Sequence, residues 1–353
     1  MAESERQITL AKITLAKIAL AKIALAKITL GGITEAMTTY VLAADLGGTQ
    51  IRVALVDRAG TITQRHAIPT LAQSPRGEVV ERFVTALKRV AATVKGDSLV
   101  GVGVSLASPT DPETGVMFNP PNLPGWDGFS VKPVIEAELS ARAWCANDAT
   151  LGALGEQKYG AGMGYRHLIY MTVSTGIGGG IVIDGRLYTG RGGFAGEIGH
   201  ITVERSGPEC NCGSFGCLEA VASGTAVARM ARERLDAGEA SSLAGAAEVD
   251  GRAVAHAADA GDAMALAIMT EAGASLGVGI VTLLNILDPE VIVIGGGMSQ
   301  SLHLLLPAMA KEIEERAMAH NRGRMPVVKS KLGDDVSLLG AAGLAFDAYD
   351  REA

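Results

Sequence analysis

The sequence predicts an α/β protein in which one order of strands and helices is repeated in two halves. The first indication is that apolar strands alternate with helical segments from Met37 onward. The second is that each half opens on two strands joined by a glycine-rich turn, at 46–50 and at 174–178. A duplicated architecture of this kind places a cleft between its halves, and ligands commonly bind in such clefts.

The first half is expected to span residues 37–152. Apolar segments predict strands at 39–45, 51–57, 62–68, 99–105 and 144–146, and helical spacing predicts a helix at 76–95. Asn147 and Asp148 follow the last of these strands. Because aspartate is a favoured capping residue, we expect Asp148 to cap a helix that runs to Tyr159.

The second half is expected to span residues 153–334 and to repeat this order. The pattern predicts strands at 167–173, 179–184 and 291–294, and helices at 223–235, 263–287 and 302–318. The helix at 263–287 is nearly apolar throughout, so we expect it to be buried. A last helix near 336–349 lies in the segment 335–353, which we expect to pack back on the first half.

The first 36 residues fit neither half. From Leu10 to Leu30 the chain repeats a five-residue unit, LAKI followed by Thr or Ala. Five residues advance a helix by about 500°, and an odd period alternates between the faces of a strand, so neither element gains an apolar face. Our interpretation is a translated nucleotide repeat ahead of a start at Met37, disordered or not native. The alternative is a basic targeting or surface-binding helix that uses Lys12, Lys17, Lys22 and Lys27.

The composition argues against several classes of protein. A nucleic-acid-binding protein would carry a basic patch, whereas this chain has a net charge of −7. No uninterrupted apolar run approaches the length of a membrane span, so no membrane partner is expected. No signal peptide is evident, and the chain has four cysteines in 353 residues. These features favour a reducing cytoplasm over a secreted fold linked by disulfides.

Three of the cysteines, Cys210, Cys212 and Cys217, fall within eight positions and begin ten residues after His200. Three thiols at C-x-C-x4-C spacing and one imidazole match a tetrahedral zinc site in ligand type and number. Four protein ligands leave no open position, so the sequence predicts a structural zinc ion. The alternatives are a disulfide or a set of unpaired buried thiols. Cys145 stands apart and is expected to be a small buried side chain.

Three glycine-rich segments share a position at the end of a strand or in a hairpin. They are Asp45, Gly47, Gly48 and Thr49; Thr175 and Gly176; and Gly295, Gly296 and Gly297. Bare N–H groups in the two hairpin turns can bind phosphate, the carboxylate can hold Mg²⁺ or its waters, and the third segment can admit an adenine ring or ribose. Each segment alone is also ordinary turn chemistry, but three together favour a nucleotide. The P-loop, dinucleotide-fold and protein-kinase motifs are absent from the sequence.

Six motifs occur in a characteristic order. They are DLGGT at 45–49, NLPGW at 122–126, ND at 147–148, STGIGGGIVIDGRLYTG at 174–190, GEIGH at 196–200 and CNCGSFGCLE at 210–219. This order resembles the ROK family, the bacterial sugar kinases and sugar-sensing repressors of the actin-like ATPase superfamily, over nearly the whole chain from Met37. The resemblance implies a two-domain actin-like ATPase (ribonuclease H-like) fold with an interdomain cleft and a zinc knuckle.

The resemblance also implies a role for each matching residue, with Asp148 as the catalytic base. The phosphates would lie along Gly47, Gly48, Thr49, Thr175 and Gly176. The sugar would contact Asn122, Asn147, Asp148, Glu197, His200 and Glu219, and zinc would be held by His200, Cys210, Cys212 and Cys217. A carboxylate base suits this chemistry, because a sugar hydroxyl is a poor nucleophile that must be aligned and deprotonated. The chain departs from the family at 105–111, where a glycine-proline turn is common, and the resemblance implies that this loop borders the sugar side of the cleft.

The expected function is therefore an ATP- and Mg²⁺-dependent hexose kinase that acts on the 6-hydroxyl, with glucose as the first candidate. An N-acetylhexosamine kinase or a fructokinase is the alternative within the same class, and a polyphosphate donor is disfavoured. The alternative from another class is a sugar-sensing transcriptional regulator, but the residues before Met37 show no recognition helix. A sensor without activity would lack the base, which is present. The family resemblance implies a homodimer or a homotetramer.

Overall fold

The strands form two mixed, five-stranded sheets. The computed structural model describes residues 38–94 and 98–352, and the chain from Tyr40 onward forms one unit. The first sheet contains β1 (Tyr40–Leu46), β2 (Gln50–Asp57), β3 (Ile62–Pro69), β4 (Leu99–Leu106) and β5 (Ala143–Asn147). The second contains β6 (Leu168–Val173), β7 (Ile177–Ile183), β8 (Arg186–Tyr188), β9 (Val291–Gly295) and β10 (Val327–Lys329). The pentapeptide repeat lies outside the described residues.

The two sheets have the same topology. Their spatial orders are β3-β2-β1-β4-β5 and β10-β9-β6-β7-β8, which is one order read from opposite edges. In each sheet the first three strands form an antiparallel meander. The last two strands run parallel to the first strand of that meander. This duplication confirms the α/β fold class that the sequence predicts.

The helices cover the faces of these sheets. They are α1 (Arg76–Ala91), α2 (Lys132–Leu139), α3 (Asp148–Tyr159), α4 (Leu218–Ala222), α5 (Gly224–Asp236), α6 (Gly251–Asp259), α7 (Ala263–Leu287), α8 (Leu302–Arg316) and α9 (Val336–Glu352). Helix α7 has the predicted bounds, whereas α1 ends at Ala91 and not at residue 95. The sequence prediction lacks α2, α4, α6, β8 and β10, because such short segments show too few turns or alternations to reveal a period.

Two local predictions are wrong. The N-cap of α3 is Asn147 and not Asp148, since Asn147 has extended backbone angles and its side chain accepts hydrogen bonds from the N–H groups of Ala149 and Thr150. Strand β7 begins at Ile177 and not at residue 179. Its glycines continue the ladder with β6, pairing Gly178 with Thr172, because glycine leaves room for α3 to pack against this strand.

Helix α7 is the apolar centre of the second half. By length and composition this helix could cross a membrane, but 61% of its most apolar 18-residue stretch is buried inside the protein. Ile268, Leu276 and Ile280 pack in one core cluster with apolar residues of the second sheet, among them Ile169 and Ile292. Helix α7 therefore has the environment of a buried core helix, as its sequence predicts.

Helix α9 packs against the first sheet. Its residues Leu338, Ala341 and Phe346 share a core cluster with Val41 and Ala43 of β1. The contact is close because β4 has a glycine where the helix crosses it. A Cβ atom added to Gly103 would lie 1.9 Å from the carbonyl oxygen of Ala341. The backbone of α9 thus rests on β4 with no side chain between them.

We expect the Gly103→Ala substitution to lower the free energy of unfolding by about 1–3 kcal/mol, because the added methyl group must push α9 away from the sheet. Chemical denaturation monitored by circular dichroism measures this change. Gly77→Ala in α1 is the matched control, since an added Cβ there meets nothing within 4 Å. The control should be neutral or stabilising by less than about 1 kcal/mol. Equal stability of the two variants would contradict the close packing of α9.

Candidate active site and cysteine cluster

Three cavities are lined in part by the turn between β6 and β7, a fourth adjoins one of them, and we name each by its position or a lining residue. The hinge cavity, of about 270 Å³, is lined by residues that include Arg52, Asp148, Ser174, Gly297 and Lys329. The Arg232 cavity, of about 350 Å³, is lined by residues that include Ser174, Thr175, Arg232, Asp250 and Gly297. The first two cavities share Ser174 and Gly297, so they meet at this turn.

The other two cavities lie on the side of the predicted sugar residues. The cysteine cavity, of about 590 Å³, is lined by residues that include Thr175, Gly176, His200, Cys210 and Glu219. The Asn122 cavity, of about 530 Å³, is lined by residues that include Gly48, Thr49, Pro121 and Asn122. Pro121 lines both of these cavities, and Thr175 lines both the cysteine and the Arg232 cavities. The turn after β6 is therefore the point where the predicted sugar and nucleotide sites meet.

Asp148 begins α3 and lines the hinge cavity. Its Oδ1 accepts hydrogen bonds from Asn147 Nδ2 at 3.0 Å and from the Ala149 N–H at 2.8 Å. Within residues 38–94 and 98–352, Oδ2 has no hydrogen-bond donor. Burial, and secondarily the negative charge of Asp45, raises the pKa of Asp148 to about 6. A carboxylate with one oxygen held and the other open, and with a pKa near neutrality, suits a general base.

Asp45 is already engaged by two partners at the end of β1. Its Oδ2 accepts hydrogen bonds from Arg52 Nη2 at 2.7 Å and Nε at 3.0 Å, and its Oδ1 accepts one from Ser105 Oγ at 2.8 Å. Arg52 also donates from Nη1 to the Asp334 carbonyl oxygen at 2.6 Å. Any Mg²⁺ or metal-bound water at Asp45 must therefore share this carboxylate with the guanidinium of Arg52.

Both hairpin turns leave N–H groups open. In the first, Gly47 donates to the Gln50 carbonyl oxygen, and no acceptor within the described residues takes the N–H of Gly48 or Thr49. In the second, Ser174 donates to Gly176, and the N–H groups of Thr175 and Gly176 likewise have no acceptor in the described part of the chain. Open N–H groups on two turns can bind the oxygens of a phosphate chain.

The structure brings three of the predicted sugar-binding residues together. Glu197 Oε2 lies 3.8 Å from His200 Nε2. Burial first, and then the nearby charge of Glu219, raises the pKa of Glu197. Asn122 lines the neighbouring cavity that is named after it. The side chain of Asn147 caps the N-terminus of α3. Glu197, His200 and Glu219 thus form a polar group beside the cysteine cavity.

The four predicted zinc ligands also cluster. The nearest ligand atoms of His200, Cys210, Cys212 and Cys217 all lie within 4.8 Å of one another. Cys212 Sγ lies 3.7 Å from Cys217 Sγ, and Cys210 Sγ lies 3.7 Å from His200 Nδ1. All three cysteines are free thiols, so the disulfide alternative is not supported. Zn–S bonds of about 2.3 Å imply sulfur separations of roughly 3.8 Å in a tetrahedron, so the cluster fits zinc in donor type and spacing.

Gly295 does not share a cavity with Gly296 and Gly297. A Cβ atom added to Gly295 would lie 2.3 Å from Tyr170 Oη, so this residue packs against the interior. Gly296 and Gly297 line the hinge cavity. Of the three glycines assigned to a nucleotide, only the last two are placed where they can contact one.

Sequence analysis missed two charged residues that organise this region. Arg52, in β2, holds Asp45. Glu156 is completely buried in α3 and accepts hydrogen bonds from the N–H groups of Ala161, Lys331 and Leu332, which anchors the connection between β10 and α9. For Arg52 the available signal was a lone charge between apolar neighbours in a strand, since such a charge is costly to bury without partners. Glu156 is followed by Gln157 and Lys158 and shows no such signal.

The chain contains two copies of one mixed sheet, and each copy has a hairpin turn with open N–H groups that can bind phosphate. These features define a duplicated α/β fold of the actin-like ATPase class. Residues 41–348 match the sequence model of the ROK family. The chain therefore belongs to the ROK family, as its motifs predict.

Three comparisons illustrate the range of similar proteins. The chain is 35% identical over 308 residues to the glucokinase of Thermotoga maritima, and the aligned region covers 86% of this chain and 96% of that protein. It superposes with a TM-score of 0.73 and 31% identity on a ROK family glucokinase from Streptomyces griseus in complex with glucose and AMPPNP, covering 87% of this chain and 99% of the other. A ROK family transcriptional regulator, a homologue of the E. coli MLC protein, gives a TM-score of 0.81 and 28% identity, covering 89% of this chain and 79% of the other.

Proposed function

We propose that this protein is an ATP-dependent hexose kinase that transfers the γ-phosphate to the 6-hydroxyl of glucose. The observation that carries the proposal is Asp148, a carboxylate with an open Oδ2 in a cavity beside the turn after β6. The similarity to glucokinases from Thermotoga maritima and Streptomyces griseus supports glucose as the acceptor.

In this proposal the chain supplies alignment and one proton acceptor. Open N–H groups of the two hairpin turns hold the phosphates, and Glu197, His200 and Glu219 hold sugar hydroxyls. Asp148 Oδ2 accepts the proton of the 6-hydroxyl as that oxygen attacks the γ-phosphorus, and the bond from the γ-phosphorus to the bridging oxygen breaks so that ADP leaves. Phosphoryl transfer depends mainly on positioning and charge, so this division of labour is sufficient for the reaction.

Two metal ions belong to the proposal. Mg²⁺ would accompany the nucleotide and neutralise charge on the phosphates, and Asp45 is the carboxylate that would hold it or its waters. Zinc would be held by the cluster of His200, Cys210, Cys212 and Cys217, where it would brace the segment that leads into α4, the helix that carries Glu219. We place the enzyme in the cytoplasm, where thiolate ligands stay reduced.

The second candidate function is sugar sensing without catalysis. It is favoured by the similarity to the ROK transcriptional regulator. The presence of Asp148 with an open oxygen favours the kinase. A purified protein that binds glucose but releases no ADP would support the sensor.

The first prediction of the kinase proposal concerns turnover and the catalytic base. Coupled ADP release with ATP and Mg²⁺ should be strong with glucose and weaker with N-acetylglucosamine, N-acetylmannosamine, mannose and fructose. Asp148→Asn should lower kcat by about 10²- to 10⁴-fold, because the amide cannot accept the proton. Asp184→Asn, at an exposed ion pair with Arg166, is the matched control and should keep full activity. An Asp148→Asn enzyme with near-normal kcat would refute the assignment of the base.

The second prediction concerns pH. A base must be deprotonated, and burial raises the pKa of Asp148 to about 6. At saturating Mg²⁺ we therefore expect kcat/KM to rise as the pH increases from 5 to 7 and to be half-maximal near pH 6. Glu197 also has a raised pKa, so the same acid limb must persist in Glu197→Gln. A midpoint near pH 4, or one that moves with Glu197, would be inconsistent with Asp148 as the titrating group.

The third prediction concerns zinc. Elemental analysis of the purified protein should find one zinc ion per chain. Cys212→Ala should lose most of this zinc and bind glucose weakly, because the cluster loses one of four ligands. Cys145→Ala is the control, since Cys145 is buried in a separate core and should not affect metal content. A metal-free Cys212→Ala protein with normal glucose affinity would rule out a structural role for zinc.

A further inference from the structure

One carboxylate, Glu219, connects the turn after β6 with the cysteine cavity. Its Oε2 accepts a hydrogen bond from the N–H of Ile177 at 2.8 Å, and Ile177 is the first residue after the turn. Its Oε1 lies 4.0 Å from Cys210 Sγ. Glu219 also lines the cysteine cavity. The two oxygens of one side chain thus face two different sites.

The close contact between the Glu219 carboxylate and the turn requires a glycine at position 176. A Cβ atom added to Gly176 would lie 2.4 Å from Glu219 Oε2, which is too close for any larger residue to be accommodated without movement. The carboxylate therefore lies directly against the backbone of the turn. The absence of a side chain at this position lets Glu219 lie against the turn, and it is also predicted to let a phosphate come close to the backbone.

Glu219 is also the side chain that holds this turn from the sugar side. The carbonyl groups of Ser174 and Thr175 accept hydrogen bonds from the N–H groups of Gly224 and Thr225, at 2.7 and 3.3 Å, at the start of α5. Within residues 38–94 and 98–352, no other side chain hydrogen-bonds to the backbone of residues 174–177. The turn is thus held by its own hydrogen bond from Ser174 to Gly176, by α5 on one side and by Glu219 on the other.

We propose that Glu219 is a positioning residue that couples the donor-phosphate turn to the sugar pocket. Its Oε2 holds the turn so that the N–H groups of Thr175 and Gly176 point towards phosphate, while the rest of the carboxylate remains available to a hexose hydroxyl. The inference rests on the proposed function and adds to it a link between the two substrate sites. Because coupling between sites is reciprocal, glucose and nucleotide should each tighten the binding of the other through Glu219.

The test measures the affinity for nucleotide in the absence of sugar. A residue that contacts only the sugar cannot change this affinity. Calorimetric titration with AMPPNP and Mg²⁺ is carried out on the full-length zinc-loaded protein. Glu219→Ala should weaken binding by roughly 5- to 100-fold, because the Ile177 N–H loses its acceptor and the turn loses its support. Glu219→Gln keeps a carbonyl oxygen for that N–H and should remain within about threefold of the wild type.

Glu197→Ala is the matched control. Glu197 is the neighbouring carboxylate of the same polar group, but its side chain makes no hydrogen bond to the turn among the described residues. It should weaken glucose binding and leave the sugar-free affinity for AMPPNP unchanged. Zinc content and melting temperature are measured for every variant, so that loss of the cluster is recognised.

A second variant approaches the same contact from the turn. Gly176→Ala displaces the Glu219 carboxylate, so we expect it to weaken nucleotide-free glucose binding, which a purely phosphate-binding glycine would not affect. Unchanged AMPPNP affinity in folded Glu219→Ala, or unchanged glucose affinity in Gly176→Ala, would overturn the coupling while leaving the kinase proposal intact. A wild-type protein that binds no AMPPNP would overturn both.

Discussion

The placement of α3 between the two sheets is the constraint on which the site depends. Its backbone touches its neighbours on both sides. A Cβ atom added to Gly152 would lie 2.4 Å from the Tyr170 ring, and one added to Gly340 of α9 would lie 1.9 Å from the Leu151 carbonyl oxygen. Because interiors are close-packed, α3 cannot shift far without a clash. The first residue of this helix is Asp148, so the same contacts that hold the sheets together determine where the carboxylate lies.

The charges around α3 follow from this placement. Asp148 starts a helix, where the positive end of the macrodipole and the Ala149 N–H favour a carboxylate. Burial and the neighbouring Asp45 act in the opposite direction and prevail, which raises the pKa of Asp148. Arg52 limits the repulsion by pairing with Asp45. A base that is largely ionised at neutral pH, yet still basic enough to accept a proton, is the result of this balance.

Local patterns predicted what local forces determine. The buried strands and the apolar helix α7 were found from runs of apolar residues, and the cysteine cluster was found from spacing within eight positions. Asn147 was missed as a cap because either residue of the pair Asn147-Asp148 suits that role, and only the backbone angles decide. Glu156 was missed because its partner Lys331 is 175 residues away in the chain, and Arg52 was missed in part because it joins Asp45 to the Asp334 carbonyl group, which is 282 residues away from Arg52. Such contacts between distant segments exist only after the chain has folded.

The central claim is that Asp148 faces the reacting hydroxyl at the meeting point of the sugar and phosphate sites. A crystal structure of the protein with glucose and AMPPNP tests this claim most directly. The account predicts that the glucose 6-hydroxyl oxygen lies within about 2.6–3.2 Å of Asp148 Oδ2, with the γ-phosphate on its far side. A glucose molecule bound with another hydroxyl towards Asp148, or held beyond hydrogen-bond reach of it, would contradict the account.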